Sequence, residues 1–289
     1  MSYDSIITVG CSFTYNSEMT WVSQLLQRVD IPVFNGATCA SSNQNIVRTA
    51  MYHIEKYKNP LLIVQLSGIH RKSYYIEQDN FISGLLRDEI SDKALETVHR
   101  DIFYINNYLY HNDRENLPDD NLVTRKLPYW LHSGGNSFDY SNAPKIIKDK
   151  VIDVYKFLYS EQQQYIETLE SIIMLQNYCK LNNIDSLYFW WKPELPLYKH
   201  LTDYDYLKNM INWDIVLPEK QSVLKWLVDT SSSGKPIKYS DFSNGEHPSK
   251  VMYDLWCSSV LLPELNKRFD IDITYTKTNS TYDKTIYNK

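Results

Sequence analysis

Ser5 to Val9 (SIITV) is a short β-branched run closed by Gly10, and it predicts a buried strand. After a polar turn, Trp21, Val22, Leu25, Leu26 and Val29 recur at helical spacing and predict a helix over 21–29. Ile31 to Phe34 reads as a second strand and Asn35 to Asn43 as a loop. Ile46, Ala50, Met51 and Ile54 then mark a helix over Asn45 to Tyr57. Leu61 to Leu66 (LLIVQL) is a nearly continuous apolar run between Pro60 and Gly68, the pattern of a strand covered on both faces in a parallel sheet. Strand and helix therefore alternate up to Gly68, which predicts right-handed βαβ units and an α/β layered fold.

Further along, Val151, Val154, Leu158, Tyr165, Leu169, Ile172 and Cys179 trace a long helix that stops at Asn182-Asn183, and Ser186 to Trp191 (SLYFWW) predicts another strand. The Tyr- and Asn-rich stretch from Arg71 to about Pro144 far exceeds a usual connection of about 4 to 6 residues. It predicts an inserted subdomain or lid at about 72–145, expected beside the mouth of any site at that sheet edge. A second insertion is expected at about 193–235, with an amphipathic piece at Ser222 to Val228. Pro248 is read as opening a last helix with core positions Val251, Met252, Leu255, Trp256, Val260 and Leu261. The expectation is one α/β domain over 1–269 with two insertions, followed by a polar tail, 270–289, that forms an added strand or a mobile terminus.

Composition narrows the function classes. With 30 Lys+Arg against 35 Asp+Glu the net charge is −5, so no broad basic face for nucleic acid is expected. The 4 cysteines, Cys11, Cys39, Cys179 and Cys257, form no CxxC or Cys/His pair, so neither a disulfide framework, a metal site nor a cofactor is expected. No apolar run approaches the roughly 20 residues needed to span a bilayer, and MSYDSIITVG lacks the features of a signal peptide. A soluble protein kept in a cytoplasm is the expectation. Aromatic residues reach 14%, with 24 Tyr, which suits core, interface or sugar-stacking surface alike.

Two segments carry chemistry. Gly10-Cys11-Ser12-Phe13-Thr14 ends the first strand, where open α/β sheets bind ligands, so Ser12 stands where a nucleophile would be held. Gly245-Glu246-His247-Pro248-Ser249 precedes the last helix. A serine is a weak nucleophile at neutral pH without a base in hydrogen-bond reach, and His247 can supply it. Each piece has a plainer reading: Ser12 as a turn residue, His247 as a loop residue at a helix start, Arg48 as a structural anchor, and the aromatic residues of the insertions as subdomain core.

Together these segments resemble the SGNH hydrolases, the GDSL-like lipase and esterase superfamily. Gly10 to Thr14 stands where that family has its Gly-Asp-Ser block. Asn35, with Ala40-Ser41-Ser42-Asn43 and Ile46-Val47-Arg48, resembles the second block, Ala40 taking the place of the oxyanion glycine. Gly68-Ile69-His70-Arg71 stands in place of Gly-x-Asn-Asp, with His70 replacing the oxyanion asparagine. Asn244-Gly245-Glu246-His247 stands in place of Asp-x-x-His, with Asn244 replacing the acid. The GCSFT, SSNxxIxR and HPS form is similar to members found in tailed bacteriophages and marine bacteria.

The resemblance implies a flavodoxin-like three-layer α/β/α sandwich with a mainly parallel sheet, Ser12 as nucleophile, His247 as general base, and an oxyanion hole from the Ser12 and Ala40 amides and His70. Asn244 would orient the histidine, with Asp241 as a rescue acid; Asn43 and Arg71 are the candidate substrate-binding residues. It implies hydrolysis of an acyl ester, with an O-acylated glycan as a candidate substrate. Two alternatives stay open: an acyltransferase using the same residues, or a catalytically degenerate module that binds or builds a larger assembly such as a virion. A nucleotide-binding α/β protein is disfavoured, since GCSFT matches neither GxGxxG nor GxxxxGK[ST].

Overall fold

The computed structural model describes residues 3–15, 20–38, 41–76, 129–133, 160–192, 200–232, 242–243 and 247–273. The chain opens with β1 (Ser5–Val9), α1 (Ser12–Tyr15), α2 (Trp21–Arg28), β2 (Val33–Asn35), α3 (Asn43–Ile54) and β3 (Pro60–Leu66). An antiparallel ribbon of β4 (Lys72–Ile76) and β5 (Tyr129–Ser133) comes next. Then follow α4 (Glu161–Leu181), β6 (Ser186–Trp190), α5 (Asp205–Met210) and α6 (Val223–Ser232). The last elements are β7 (Phe242–Ser243), β8 (His247–Pro248), α7 (Lys250–Trp256) and α8 (Leu262–Phe269), with a π-helical turn, Cys257–Leu261, between α7 and α8.

A four-stranded parallel sheet runs in the order β2-β1-β3-β6, with Ile6 opposite Val33 and Leu61, and Leu62 opposite Ser186. Successive strand residues point to opposite faces. Ile6, Leu61, Ile63, Leu187 and Phe189 therefore pack with Trp21, Leu25, Leu227 and Trp256, while Ile7, Leu62, Val64 and Tyr188 pack with Ile46, Ala50, Tyr165 and Leu169. Helices α2, α6 and α7 thus supply one core, and α3 and α4 the other. Both faces are covered, which is why β1 and β3 read as largely apolar runs, broken by Ser5 and Thr8 in β1 and by Gln65 in β3. The result is an α/β architecture compatible with a three-layer sandwich.

Several boundaries differ from expectation for local reasons. Helix α3 starts at Asn43, two residues before the expected Asn45, because the Ser42 hydroxyl caps it by accepting from the Asn45 amide at 3.2 Å. Helix α4 ends as expected: Asn183 adopts φ 55°, and the Ile184 amide reaches back to the Cys179 carbonyl at 2.8 Å. The last helix begins after Ser249, which caps it, while Pro248 belongs to β8. Of its expected core positions, Val251 and Leu255 are 77% and 49% exposed. The buried stripe instead runs through Met252, Tyr253, Trp256, Cys257, Val260 and Leu261, and adjacent apolar residues on a helix flank look alike in sequence. In the segment expected as the second insertion, Leu207, Ile211 and Val216 join the α3/α4 core, and Leu217, Val223 and Leu227 the α2/α7 core. Of the segment expected as a subdomain, only β4, β5 and their immediate approach are described; 77–128 and 134–159 lie outside the described residues. The tail is described up to Ile273, which forms an antiparallel bridge with Val29, and 274–289 lie outside.

Helix α3 carries a buried histidine. His53 is 5% exposed, neither ring nitrogen has a hydrogen-bond partner, and a Cβ on Gly36 would fall 2.5 Å from its Cδ2, so glycine is required there by close approach. Desolvation, with a smaller contribution from Lys56, lowers the imidazole from its ordinary 6.5 to about 4. The folded state then resists protonation that the unfolded chain accepts, so stability is full above pH about 6.5 and declines down to about 4. Urea unfolding from pH 7.5 to pH 4.5 should show a loss of about 3 kcal/mol at most from this group. His53→Gln should remove that part of the pH dependence, whereas an unchanged slope would assign it elsewhere.

Candidate active site

Ser12 is the first residue of α1, reached directly from the carboxyl end of β1 through Gly10-Cys11. The turn is tight: the Thr14 and Tyr15 amides bond the Cys11 carbonyl at 2.9 and 3.0 Å. A Cβ at Gly10 would meet Thr14 Oγ1 at 2.5 Å and Gln65 Oε1 at 2.9 Å, so no side chain fits there.

What holds the turn is a buried amide on the neighbouring strand. Gln65 lies on the same face of β3 as Leu61 and Ile63 and is fully buried. Its Oε1 accepts from the Cys11 amide at 3.2 Å, the Cys11 thiol at 3.2 Å and the Thr14 hydroxyl at 3.1 Å, and its Nε2 donates to the Leu66 carbonyl. Thr14 Oγ1 accepts in turn from Trp21 Nε1 at 3.1 Å, which ties α1 to α2. From the other side, Asn35 Nδ2 donates to the Thr14 and Tyr15 carbonyls at 2.7 and 3.1 Å, and its Oδ1 accepts from the Ala37 amide at 3.1 Å.

His247 comes from the opposite end of the chain, on β8. The β7–β8 pair, with Ser243 opposite His247, and the Ser249 cap of α7 fix its backbone. Its Nε2 lies 3.0 Å from Ser12 Oγ across a sequence separation of 235. With Nε2 unprotonated the hydroxyl donates to it, the arrangement a general base needs. The imidazole stacks on Phe13 at 4.2 Å and 25°, and Phe13 stacks on Trp191 at 3.9 Å and 13°. This ladder sets the ring plane. Both Ser12 and His247 are half-buried, open enough to meet a ligand.

The remaining expected residues fall as follows. His70 and Arg71 lie in the turn after β3 and are half-buried. Asn43 is 3% exposed; its Oδ1 accepts from the Ser67 amide at 2.8 Å and its Nδ2 donates to the Ser67 carbonyl at 3.1 Å, so its amide clamps the end of β3. Ala40, Asp241 and Asn244 lie outside the described residues. Gln65 and the Phe13–Trp191 ladder were missed from sequence. The signal for Gln65 was present, as the single polar side chain in the buried strand PLLIVQL. Among the described residues no group of three or more His, Cys, Asp and Glu side chains is placed to hold a metal ion, and no helix is long and apolar enough to cross a membrane.

Compared with known proteins, the chain matches no family model, no curated protein and no solved structure.

Replacing Gln65 by leucine leaves the Cys11 amide and Thr14 hydroxyl buried without their acceptor. Gln65→Leu should cost about 1 to 3 kcal/mol in denaturant unfolding. A loss below about 0.5 kcal/mol would mean that the turn holds itself without the amide.

Proposed function

We propose that the chain is a serine hydrolase of SGNH type that cleaves acyl esters, with Ser12 as nucleophile and His247 as general base. The observation that carries this reading is the 3.0 Å approach of Ser12 Oγ to His247 Nε2 at the carboxyl edge of a parallel sheet. A strand order of β2-β1-β3-β6 supports the flavodoxin-like form of the fold, since it matches the first four places of that order.

The chemistry follows from the geometry. Ser12 Oγ attacks the acyl carbonyl carbon while its proton passes to His247 Nε2. The carbonyl oxygen becomes an oxyanion, and the Ser12 amide, at the start of α1, is an N–H donor on the nucleophile itself. Collapse of the tetrahedral species breaks the ester C–O bond, and His247 returns the proton to the leaving alcohol. Water, deprotonated by the same imidazole, then attacks the acyl carbon, the Ser12 Oγ–acyl bond breaks to free the acid, and His247 returns the proton to Ser12 Oγ. Ala40 and His70 are proposed to complete the oxyanion hole, and Asn244, with Asp241 as the alternative, to orient His247. An O-acylated glycan is the proposed substrate; a sugar hydroxyl replacing water in the last step would make the same residues an acyltransferase.

Fluorophosphonate labelling tests this without knowledge of the substrate. Wild type should label on Ser12, Ser12→Ala should not label, and His247→Ala should label about 10² to 10⁴ times more slowly. A wild-type chain inert to the probe would overturn the enzyme reading in favour of a binding or structural module.

A further inference from the structure

A small cleft, open to solvent and with an enclosed volume of about 10 Å³, lies between the first turns of two helices, lined by Asn43 and Gln44 of α3, Gln164, Glu167 and Thr168 of α4, and Arg71. Its polar groups divide sharply into satisfied and unsatisfied. Both Glu167 oxygens are occupied: Oε2 accepts from Gln44 Nε2 at 3.0 Å, and Oε1 accepts from Lys72 Nζ at 2.9 Å and Gln163 Nε2 at 2.8 Å. The Asn43 amide is committed to Ser67. What is left over is all donor. Arg71 Nε and Nη1 and Gln164 Nε2 are buried atoms without any acceptor, and Gln164 as a residue is only 2% exposed. A buried donor left unpaired costs about 1 to 3 kcal/mol, more when it carries charge.

The field in the cleft has the same sign. Arg71 and Lys72 outweigh Glu167, which Lys72 already pairs. Helix α3 has 12 residues and α4 has 21; Asn43 and Gln44 stand in the first turn of the one and Gln164 in the first turn of the other, so two positive helix ends meet at the cleft. Its place in the fold is equally definite. Asn43 is bonded to Ser67, the residue just past β3, and β3 pairs with β1, whose carboxyl end leads into Ser12. The strands are parallel, which puts the cleft at the same carboxyl edge of the sheet as Ser12.

We infer that this cleft is an oxyanion subsite, in which the Arg71 guanidinium and the Gln164 amide hold a carboxylate or phosphate carried by the substrate. The substrate class narrows to acidic esters. The anion-binding property stands on the cleft alone, whereas its service to a substrate rests on the esterase reading above.

Two measurements separate these claims. Inorganic phosphate and succinate are titrated against wild type by calorimetry, with Arg71→Met, Gln164→Leu and Lys225→Met compared; Lys225 is an exposed α6 residue paired with Asp229 and reports non-specific charge effects. Saturable binding should weaken about tenfold or more in Arg71→Met, weaken in Gln164→Leu, and persist in Lys225→Met. The anion held more tightly identifies which of the two the cleft favours. In the second arm, para-nitrophenyl esters with neutral, carboxylate-bearing and phosphate-bearing acyl chains are compared, and the ratio of kcat/KM for acidic over neutral ester should fall about tenfold or more in Arg71→Met. Absence of anion binding, or binding indifferent to Arg71 and Gln164, overturns the subsite. An unchanged ester preference overturns its service to substrate. Arg71-dependent anion binding in a chain that cleaves no ester would uphold the anion site and reject the esterase reading.

Discussion

A serine placed at the start of a helix that begins two residues after a strand requires an abrupt reversal of the backbone, and the Gln65 amide makes that reversal tolerable. It stands on the adjacent strand, fully buried, and gives acceptor capacity to a backbone amide, a thiol and a hydroxyl that the turn has stranded away from water. Gly10 is a consequence, because any Cβ would collide with Thr14 and with Gln65 itself. Asn35 completes the hold by occupying the carbonyls at the other end of α1. Ser12 is therefore fixed by three strands at once, and the histidine only has to be brought to it.

That delivery depends on the order of the elements. In a parallel sheet every strand ends at the same edge, so the loops after β1, β3 and β6 converge although they are far apart in sequence. Phe13 comes from the first of these loops and Trp191 from the third, and their stack provides the surface on which His247 lies. The cleft under Arg71 borders the second. Helices α3 and α4 run antiparallel to the strands they precede, so their positive ends face that edge as well, and a site built there is biased toward negative charge developing on a carbonyl or already present on a substrate.

The parallel-sheet framework was legible in the sequence because both of its signals are local. β1 and β3 are apolar on both faces, and α2 and α3 carry their periodicity within a dozen residues. The motifs around Ser12 and His247 singled out both residues, and the fold brings their side chains within 3.0 Å. Other features were less legible. The role of Gln65 is a relation between two strands that no window of sequence contains, although a lone polar residue in a buried strand marks it. The Ser42 cap moved the start of α3 by satisfying an amide, a choice that hydrophobic pattern does not encode. Val251 and Leu255 were misplaced because a helix with apolar residues on adjacent positions has two candidate faces, and only packing against α2 and α6 selects between them. Asn43 shows a further limit: an amide in a functional-looking motif is consumed in clamping β3.

The central proposal is that the His247 ring, 3.0 Å from Ser12 Oγ, activates that hydroxyl as a nucleophile. The most direct measurement is the rate of Ser12 phosphonylation as a function of pH, set beside the titration of the His247 ring followed by NMR in the unlabelled protein. If the imidazole is the base, the rate rises with the fraction of neutral His247 and shares its midpoint. A rate that is flat through the His247 titration, or that follows a different midpoint, would show that the contact is a packing contact and that the serine is not activated by it.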